Sequence, residues 1–370
     1  MDPLNFPYTP DMIDKAWLAE VLGAKAGEEV ADFALTRIGT DEGASALLYR
    51  VDIAWHEAPD QTNAPHLPAQ VVLKFASPDP AYRQYAQQMG TYLKEARFYQ
   101  NFGDDPALPV PRAYFAAIDP TSGFFVLVLE DLSAARMADW FGSGVDDVQL
   151  ALDCLAQIHA RFWDDQSLMR LTWLGRADDA EQSERYRALL DQSLPAARSQ
   201  FDSLLSDYAW KVLETWLAHW DALRLTTAVG AKTLVHREAD MRQMFFPSPT
   251  LDRFVLFDWQ SPEVGWGAAD VGRMITTSLN LEQRRQHEFN LVERYQRALQ
   301  QHGVQIELAT LWRQIKLSHL MNVLAHLFTL LWVQTEETET WQRAHLSMLA
   351  AALEDWQLLD LIADCRRTAG

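Results

Sequence analysis

The chain is poor in cysteine, in long apolar runs and in positive charge. Its two cysteines, Cys154 and Cys365, are far apart and lack the spacing of metal ligands, so the sequence indicates neither a disulfide framework nor a zinc site. No apolar stretch approaches the ~20 residues that a membrane-spanning helix requires. Lys and Arg number 32 against 51 Asp and Glu, which leaves a formal net charge of -19 over 370 residues.

This acidic balance excludes several classes of partner. Nucleic acids and anionic membrane surfaces attract clustered Lys and Arg, and they repel a strongly acidic protein. The first residues, MDPLNFPYTPDM, hold acids and prolines in place of the basic start and apolar centre of a signal peptide. We therefore expect a cytoplasmic protein that binds a small molecule, with neither nucleic acid nor membrane as a partner. The sequence does not indicate an oligomeric state.

The pattern of apolar residues changes about a third of the way along the chain. Before that point, ALLYRVDIAW, VVLKFA and FFVLVLE predict strands, and one long helix is predicted over 81–102. After it, apolar residues recur at helical intervals, except in a β segment over 233–259. The sequence therefore predicts an α+β protein with a β-rich N-terminal lobe over 1–132 and a mainly helical C-terminal lobe over 133–370.

Four residues of the predicted N-terminal lobe are candidates for binding a nucleotide. Gly39 and Gly43 lie in a predicted hairpin, where glycine lets backbone N–H groups approach a phosphate, although such hairpins also occur without any ligand. Lys74 lies inside the apolar strand VVLKFA, where a charge needs either a partner or an exposed strand face. Glu95, on the following helix, is the predicted partner.

The strand FFVLVLE ends at Glu130, just before Leu132. An extended connector at this point would offer backbone donor and acceptor groups to the edge of a purine base, or it would be an ordinary link between two lobes.

The predicted β segment carries the strongest chemical signal. LVHREADMRQMFF contains His236, Glu238 and Gln243, and the following strand, RFVLFDWQ, ends near Asp258. Carboxylate and amide oxygens on neighbouring strands are ligands that a hard cation such as Mg²⁺ accepts. Transfer of a γ-phosphoryl group requires such a cation, a lysine on the phosphates and a carboxylate that orients the attacking hydroxyl. The chain contains residue types suited to each of these three tasks.

Lys74, Glu95, the VLVLEDL connector, the His236 loop and FDWQ together resemble the aminoglycoside phosphotransferase and choline kinase-like superfamily. The likeness is greatest to its branch of ecdysteroid-kinase-like and related bacterial small-molecule kinases, and it extends from about Gly39 to the helix after Asp270. The resemblance implies a two-lobed, protein-kinase-like fold. It also implies ATP and Mg²⁺ as cofactors and a hydroxyl group of a small molecule as the phosphoryl acceptor.

The resemblance also implies a role for each candidate residue. Lys74 would hold the α- and β-phosphates, and Glu95 would steady Lys74. Glu238 occupies the position of the catalytic carboxylate, and Gln243 and Asp258 occupy the positions of the two metal ligands. The remaining assignments are nucleotide binding for Gly39, Gly43, Glu130 and Leu132, and structural support of the loop for His236 and Asp270.

The loop departs from the family pattern, which usually has His-Gly-Asp and a later Asn. Arg237 replaces the glycine, and Glu238 and Gln243 are each one methylene longer than the usual residues. A misplacement of ~1 Å can cost about a hundredfold in rate. Asp240 and Arg242 together resemble an exchange of charges, because relatives often have a basic residue at the first position and an acid at the second. A catalytically impaired, pseudokinase-type protein that binds a nucleotide or another ligand is therefore the alternative.

Two classes of acceptor fit the sequence. The acidic balance suits an amine-bearing substrate, whereas aromatic residues of the C-terminal lobe could line a pocket for a hydrophobic alcohol. Most such indoles serve core packing in helical domains. The candidates are Trp163, Trp266, Trp312, Trp332 and Trp341.

Overall fold

The computed structural model describes residues 5–25, 27–39, 46–56, 67–138, 143–176, 179–249, 251–332 and 336–369. The chain divides into two compact units. The first unit combines Met1–Arg136 with Phe245–Ser261, and the second combines Met137–Met244 with Pro262–Gly370. The division thus lies close to the predicted boundary at 132, but it places 245–261 in the first unit.

An antiparallel sheet with the strand order β1-β2-β3-β5-β4 forms most of the first unit. Its strands are β1 (Val30–Ile38), β2 (Ala46–Trp55), β3 (Gln70–Ala76), β4 (Ala113–Ile118) and β5 (Phe125–Glu130). Apolar side chains from the central strands, such as Val51, Leu73 and Val128, are fully buried in its core. The predicted strands are confirmed, because alternating and continuous apolar segments fit a sheet that buries one face or both.

Two helices, and not the single one predicted over 81–102, follow β3. They are α2 (Pro80–Met89) and α3 (Thr91–Phe102), and the short helix α1 (Lys15–Val21) precedes the sheet. Gly90 has a φ of 71°, and its N–H bonds to the Ala86 and Gln87 carbonyls. Glycine adopts this left-handed conformation at little cost, so it ends α2 and lets α3 begin in a new direction.

The second unit is mainly helical, as the sequence predicts. Its helices are α4 (Val145–Arg161), α5 (Ala180–Phe201), α6 (Asp207–Ala218), α7 (Trp220–Thr227), α8 (Ala268–Ser278), α9 (Leu281–Gln301), α10 (Leu308–Trp332), α11 (Glu336–Asp355) and α12 (Leu358–Ala369). Across the described ranges, no helix has the length and apolar character needed to cross a bilayer.

Short strands account for the predicted β segment over 233–259. The remaining strands of the chain are β6 (Arg136–Met137), β7 (Gly175–Arg176), β8 (Thr233–Val235), β9 (Met244–Phe246), β10 (Val255–Leu256) and β11 (Glu263–Gly265). They form two three-stranded sheets, ordered β10-β9-β6 and β7-β11-β8. Helix α8 follows the second of these sheets directly, and every one of its residues is buried.

Gly267, immediately before α8, lies against two buried side chains. A Cβ atom at this position would approach His159 Nδ1 and Tyr295 Oη to 2.7 Å each. Such distances are too short for any carbon, and neither neighbour can move into solvent, since both are fully buried. Glycine at this position therefore lets α8 begin directly beside His159.

We expect Gly267→Ala to lower the free energy of unfolding by about 1–3 kcal/mol, because it overpacks a buried site. Denaturant-induced unfolding would measure the change. Gly144→Ser is the matched control, since Gly144 has a negative φ and an added Cβ there meets no atom closer than 4.0 Å. Equal stability of the two variants would contradict the prediction.

Candidate active site

Lys74 lies at the centre of a buried ionic cluster in the first unit. Its Nζ atom donates to Glu95 Oε1 and to Asp258 Oδ1, each at 2.8 Å. Burial by itself would lower the pKa of the Lys74 ammonium, but the carboxylates of Asp258 and Glu95 outweigh it and raise the pKa. The lysine therefore stays charged, with the partner that the sequence predicts and with a second acid that lies 184 residues further along the chain.

Helix α3 carries Glu95 and contacts the segment that contains Asp258. Glu95 and Phe98 lie one turn apart on its buried face. The Phe98 ring stacks on the Trp259 indole, with centroids 4.0 Å apart and planes 5° apart. The Trp259 indole N–H also donates to the Leu256 carbonyl at 2.9 Å. The residue after Asp258 is thus anchored on the same helix that carries Glu95, and this stacking is one of the contacts that join 245–261 to the first unit.

Asp258 itself has a left-handed backbone conformation, with a φ of 66°. A non-glycine residue in this region costs free energy, and such conformations cluster at functional sites. Here the contacts of the neighbouring Trp259 and the ion pair to Lys74 hold the residue in place.

The connector after β5 has most of its polar groups engaged. The Glu130 carboxylate pairs with Arg253 at 2.6 Å and accepts from the Arg112 N–H at 3.2 Å. The Glu130 N–H donates to the Arg112 carbonyl, and the Leu132 carbonyl accepts from the Ala135 N–H. The Glu130 N–H is therefore engaged within the chain, whereas the Leu132 N–H and the second lone pairs of the carbonyl oxygens are not used by these bonds. The connector and the turn before β10 line a cavity of about 280 Å³.

Only one of the two predicted hairpin glycines can be placed. Gly39 follows β1 with a φ of 88°, and an added Cβ would meet no atom within 4 Å. Its glycine character is therefore explained by backbone conformation and not by close packing. Gly43 lies outside the described residues.

In the second unit, one buried carboxylate holds the loop that follows β8. Asp270, in the first turn of α8, accepts the His236 N–H at 2.7 Å and the Arg237 N–H at 2.8 Å. His159 Nε2 lies 3.2 Å from the same carboxylate, and His159 Nδ1 lies 2.7 Å from Tyr295 Oη. Burial would raise the pKa of Asp270, but His159, His236 and the backbone donors lower it overall. The carboxylate therefore stays ionised and braces the loop.

Arg237 has a φ of 72°, a conformation that suits the glycine usual in related loops. The two N–H bonds to Asp270 hold the backbone in this state. The Arg237 side chain forms an ion pair with Glu263 in β11, with Nε 3.1 Å from Oε2. This pair contributes stability that offsets part of the backbone strain.

Glu238, the predicted catalytic carboxylate, is half-buried. Its N–H donates to His236 Nδ1 at 3.3 Å. Because Nδ1 accepts this bond, a neutral His236 carries its proton on Nε2. His236 is fully buried and thus orients the backbone at Glu238.

The acid Asp240 is buried between two arginines. Its carboxylate pairs with Arg242 at 2.7 Å and with Arg273 of α8 at 3.2 Å. Burial would raise the pKa of Asp240, but Arg242 and Arg273 lower it overall. Asp240 and Arg242, the two positions at which the loop resembles an exchange of charges, thus form a direct ion pair. Asp240 stays ionised, and the arginines compensate its charge.

Gln243 and Asp258 supply the ligand types expected of a magnesium site. Gln243 belongs to the second unit and Asp258 to the first. An amide oxygen and a carboxylate suit Mg²⁺, which usually takes one or two protein oxygens and completes its shell with water and phosphate. Within the described part of the chain, no group of three His, Cys, Asp or Glu side chains could hold a metal by itself. The donor type of each residue, taken by itself, therefore suits Mg²⁺.

Several contacts of this site are not predictable from sequence patterns. Arg273 lies in an apolar helix, and nothing in its spacing indicates a bond to Asp240. The bond between His159 and Asp270 joins residues 111 positions apart, which no sequence pattern indicates. The stacking of Phe98 on Trp259 has no sequence signal either.

The tryptophans considered for an apolar pocket are packing residues where their contacts are described. Trp266 is buried, and its indole N–H donates to the Val229 carbonyl at 3.0 Å. Trp312 lies between Phe289 and Trp356, with centroid distances of 6.5 and 6.0 Å. The side chains of Trp332 and Trp341 lie outside the described set.

Two variants of Arg237 separate backbone strain from the ion pair. Arg237→Gly and Arg237→Ala both remove the bond to Glu263, but only glycine relieves the left-handed conformation. We expect the Gly variant to have the higher free energy of unfolding, by about 1 kcal/mol. The control is Arg187 in α5, where alanine should be more stable than glycine by about 1 kcal/mol. If the Gly and Ala variants had the same order of stability at both positions, backbone strain at Arg237 would be contradicted.

The role of Asp270 predicts a pH dependence. A carboxyl group whose pKa is lowered by folding stabilises the protein above its unfolded pKa of ~3.9, and this contribution is lost as the pH falls through the folded pKa. Asp270→Asn should therefore lower the free energy of unfolding most at pH 7, and the difference from wild type should shrink in acid. Chemical denaturation at a series of pH values measures this difference. Exposed Asp191→Asn is the control, and a pH-independent difference for Asp270→Asn would refute the assignment.

Known proteins resemble this chain in family and in fold. The model of the ecdysteroid kinase-like family matches residues 41–307. A Ralstonia eutropha JMP134 protein assigned as an aminoglycoside phosphotransferase is 14% identical, covers 92% of this chain and 97% of its own, and has a TM-score of 0.54. A Plasmodium vivax ethanolamine kinase is 11% identical, covers 87% of this chain and 82% of its own, and has a TM-score of 0.52. A search of curated proteins found no match.

Structural likeness at such low identity shows the fold alone, because one fold hosts many functions. It confirms the predicted α+β, protein-kinase-like fold. The family match covers more than half of the chain and spans the Lys74 cluster and the His236 loop. Family and fold together indicate a small-molecule kinase or phosphotransferase. The chain belongs to the ecdysteroid kinase-like family.

Proposed function

We propose that the protein is an ATP-dependent phosphotransferase that moves the γ-phosphoryl group to a hydroxyl group of a small molecule. The ionic cluster of Lys74 carries the proposal, because its ammonium lies 2.8 Å from both Glu95 and Asp258. A buried lysine clamped by a helix glutamate is positioned to bind phosphate oxygens. The second acid, at the end of a strand, is of the type that binds a metal.

In this proposal each candidate residue has a distinct task. Lys74 binds the α- and β-phosphates, Glu95 orients Lys74, and Asp258 and Gln243 would hold Mg²⁺, which neutralises charge on the phosphates. Glu238 accepts the proton of the acceptor hydroxyl. The oxygen of that hydroxyl bonds to the γ-phosphorus while the bond from the γ-phosphorus to the bridging β–γ oxygen breaks. ADP leaves with the electron pair of that bond. Glycine N–H groups at Gly39 and Gly43, with the Glu130 carbonyl and the Leu132 N–H, complete the nucleotide site.

The acceptor is proposed only as a class. The net charge of -19 favours an amine-bearing alcohol, and one structural neighbour is named as an ethanolamine kinase. A hydrophobic alcohol is the other class. The contacts of Trp266 and Trp312 offer it no support, because both indoles are packed against other residues.

A pseudokinase-type protein that binds nucleotide without transferring phosphate is the second candidate. Its support is that Asp240 pairs with Arg242 at 2.7 Å, so the charge of this arginine is compensated by an acid of its own loop. Positive charge near a transferring phosphoryl group accelerates the reaction, and the pairing reduces what Arg242 can contribute. The longer Glu238 side chain also supports this candidate, since small displacements of a base lower the rate.

The test compares nucleotide binding with product formation. We expect Mg²⁺-ATP to raise the thermal stability of the purified protein, because it binds only the folded state. A panel of hydroxyl-bearing amines and apolar alcohols should yield a phosphorylated product detectable by mass spectrometry. Lys74→Met and Asp258→Asn should each lower turnover by at least ~100-fold, the cost of removing one charge-stabilising group.

Lys15→Met is the matched control, since Lys15 also pairs with an acid of the first unit but is half exposed. It should leave turnover unchanged. Stabilisation by Mg²⁺-ATP without product from any acceptor would favour the pseudokinase. Absence of any nucleotide effect on stability would refute both candidates.

A further inference from the structure

We infer that Asp240 is a positioning residue that orients the Gln243 amide as a metal ligand. Asp240, Arg242 and Gln243 are then one coupled set of substitutions and not three separate losses of function. The inference rests on the proposed function, because it assigns Gln243 to the metal. It concerns a contact that lies wholly within the second unit.

The orientation of the Gln243 amide follows from its neighbours. One end of the amide faces the Asp240 carboxylate and the Glu238 carbonyl oxygen, the latter at 3.1 Å. Both neighbours are acceptors, so this end must be the NH₂ group, which donates to each. The remaining polar atom of the side chain is its carbonyl oxygen, and an amide oxygen is a ligand type that Mg²⁺ accepts.

Asp240 is held firmly enough to orient its neighbour. Its side chain caps the 3-10 turn Met241–Gln243 by accepting the Arg242 N–H at 3.0 Å. Arg242 Nε and Nη2 bind its two oxygens at 3.1 and 2.7 Å, and Arg273 Nη2 binds one of them at 3.2 Å. A bidentate arginine pair of this kind fixes both distance and plane. Only 1% of the residue is exposed, so the Asp240 carboxylate lies away from solvent among these donors.

This arrangement explains how a longer side chain can serve at the metal position. Gln243 has one more rotatable bond than asparagine, so an unrestrained amide would occupy several rotamers. The two hydrogen bonds that the NH₂ group donates restrict the amide to one rotamer. Groups that orient a metal ligand in this way typically affect metal affinity by 10–100-fold. Arg242 and Arg273 make the arrangement possible, because they compensate the buried charge of Asp240.

The experiment measures metal binding directly. Mn²⁺ is titrated into the full chain with a non-hydrolysable ATP analogue, and bound Mn²⁺ is read by electron paramagnetic resonance. We expect Asp240→Asn to weaken Mn²⁺ binding about tenfold, the lower end of the range for such supporting contacts. Asp355→Asn is the matched control, since Asp355 also accepts from two arginines, Arg284 and Arg285. It should leave Mn²⁺ affinity unchanged although it removes a similar ion-pair set.

Gln243→Asn gives a second and opposite test. Asparagine restores the usual family residue, so a merely degraded loop would bind Mn²⁺ more tightly with this variant. The coupled arrangement predicts weaker binding, because the shorter side chain loses the bond to Asp240. The double variant should bind Mn²⁺ no more weakly than the weaker single variant, since both changes act on the same contact.

The outcomes separate the inference from the proposed function. If the wild type binds no Mn²⁺ with the nucleotide analogue, the proposed function fails and the inference with it. If the wild type binds and Asp240→Asn binds equally well, or Gln243→Asn binds more tightly, the inference alone is overturned. Should Asp240→Asn unfold, Gln243→Asn still decides, because it leaves the ion pairs of Asp240 intact.

Discussion

The cost of burying a charge shapes both parts of the candidate site. An ionised group removed from water is tolerated only when opposite charges or hydrogen bonds surround it. Lys74 meets this requirement with two carboxylates in the first unit. Asp270 and Asp240 meet it in the second unit, one through backbone N–H groups and a histidine and the other through two arginines.

These clusters also explain why the unusual loop keeps a defined path. Asp270 fixes two successive N–H groups, so the backbone at Arg237 has no freedom to leave its left-handed conformation. Asp240 fixes the next turn of the loop. The loop is therefore anchored before and after Glu238 by acids that are themselves immobilised. An arginine in place of glycine and a glutamine in place of asparagine are compatible with such a scaffold, because the anchors act on the backbone and on the amide.

The strands and the Lys74–Glu95 pair were predictable because they depend on local patterns. An apolar strand leaves a lysine few options, and the two helices that follow it contain a single acid, Glu95. The predicted single helix over 81–102 was wrong for a local reason as well, since its interior contains Gly90, and glycine readily takes the left-handed φ that ends a helix. The placement of 245–261 was not predictable, because it depends on stacking between Phe98 and Trp259, which are distant in sequence.

The amino-acid sequence alone was sufficient to predict the strands of the N-terminal sheet, the α+β class and the set of polar residues available for chemistry. These follow from apolar periodicity and residue type, which act over a few residues at a time. The contacts of Asp258 with Lys74, of Arg273 with Asp240 and of the Gln243 NH₂ group with Asp240 could be found only in the folded chain. The physical reason is that charge compensation and amide orientation depend on distances of about 3 Å between side chains, and such distances are set by packing between segments far apart in the chain.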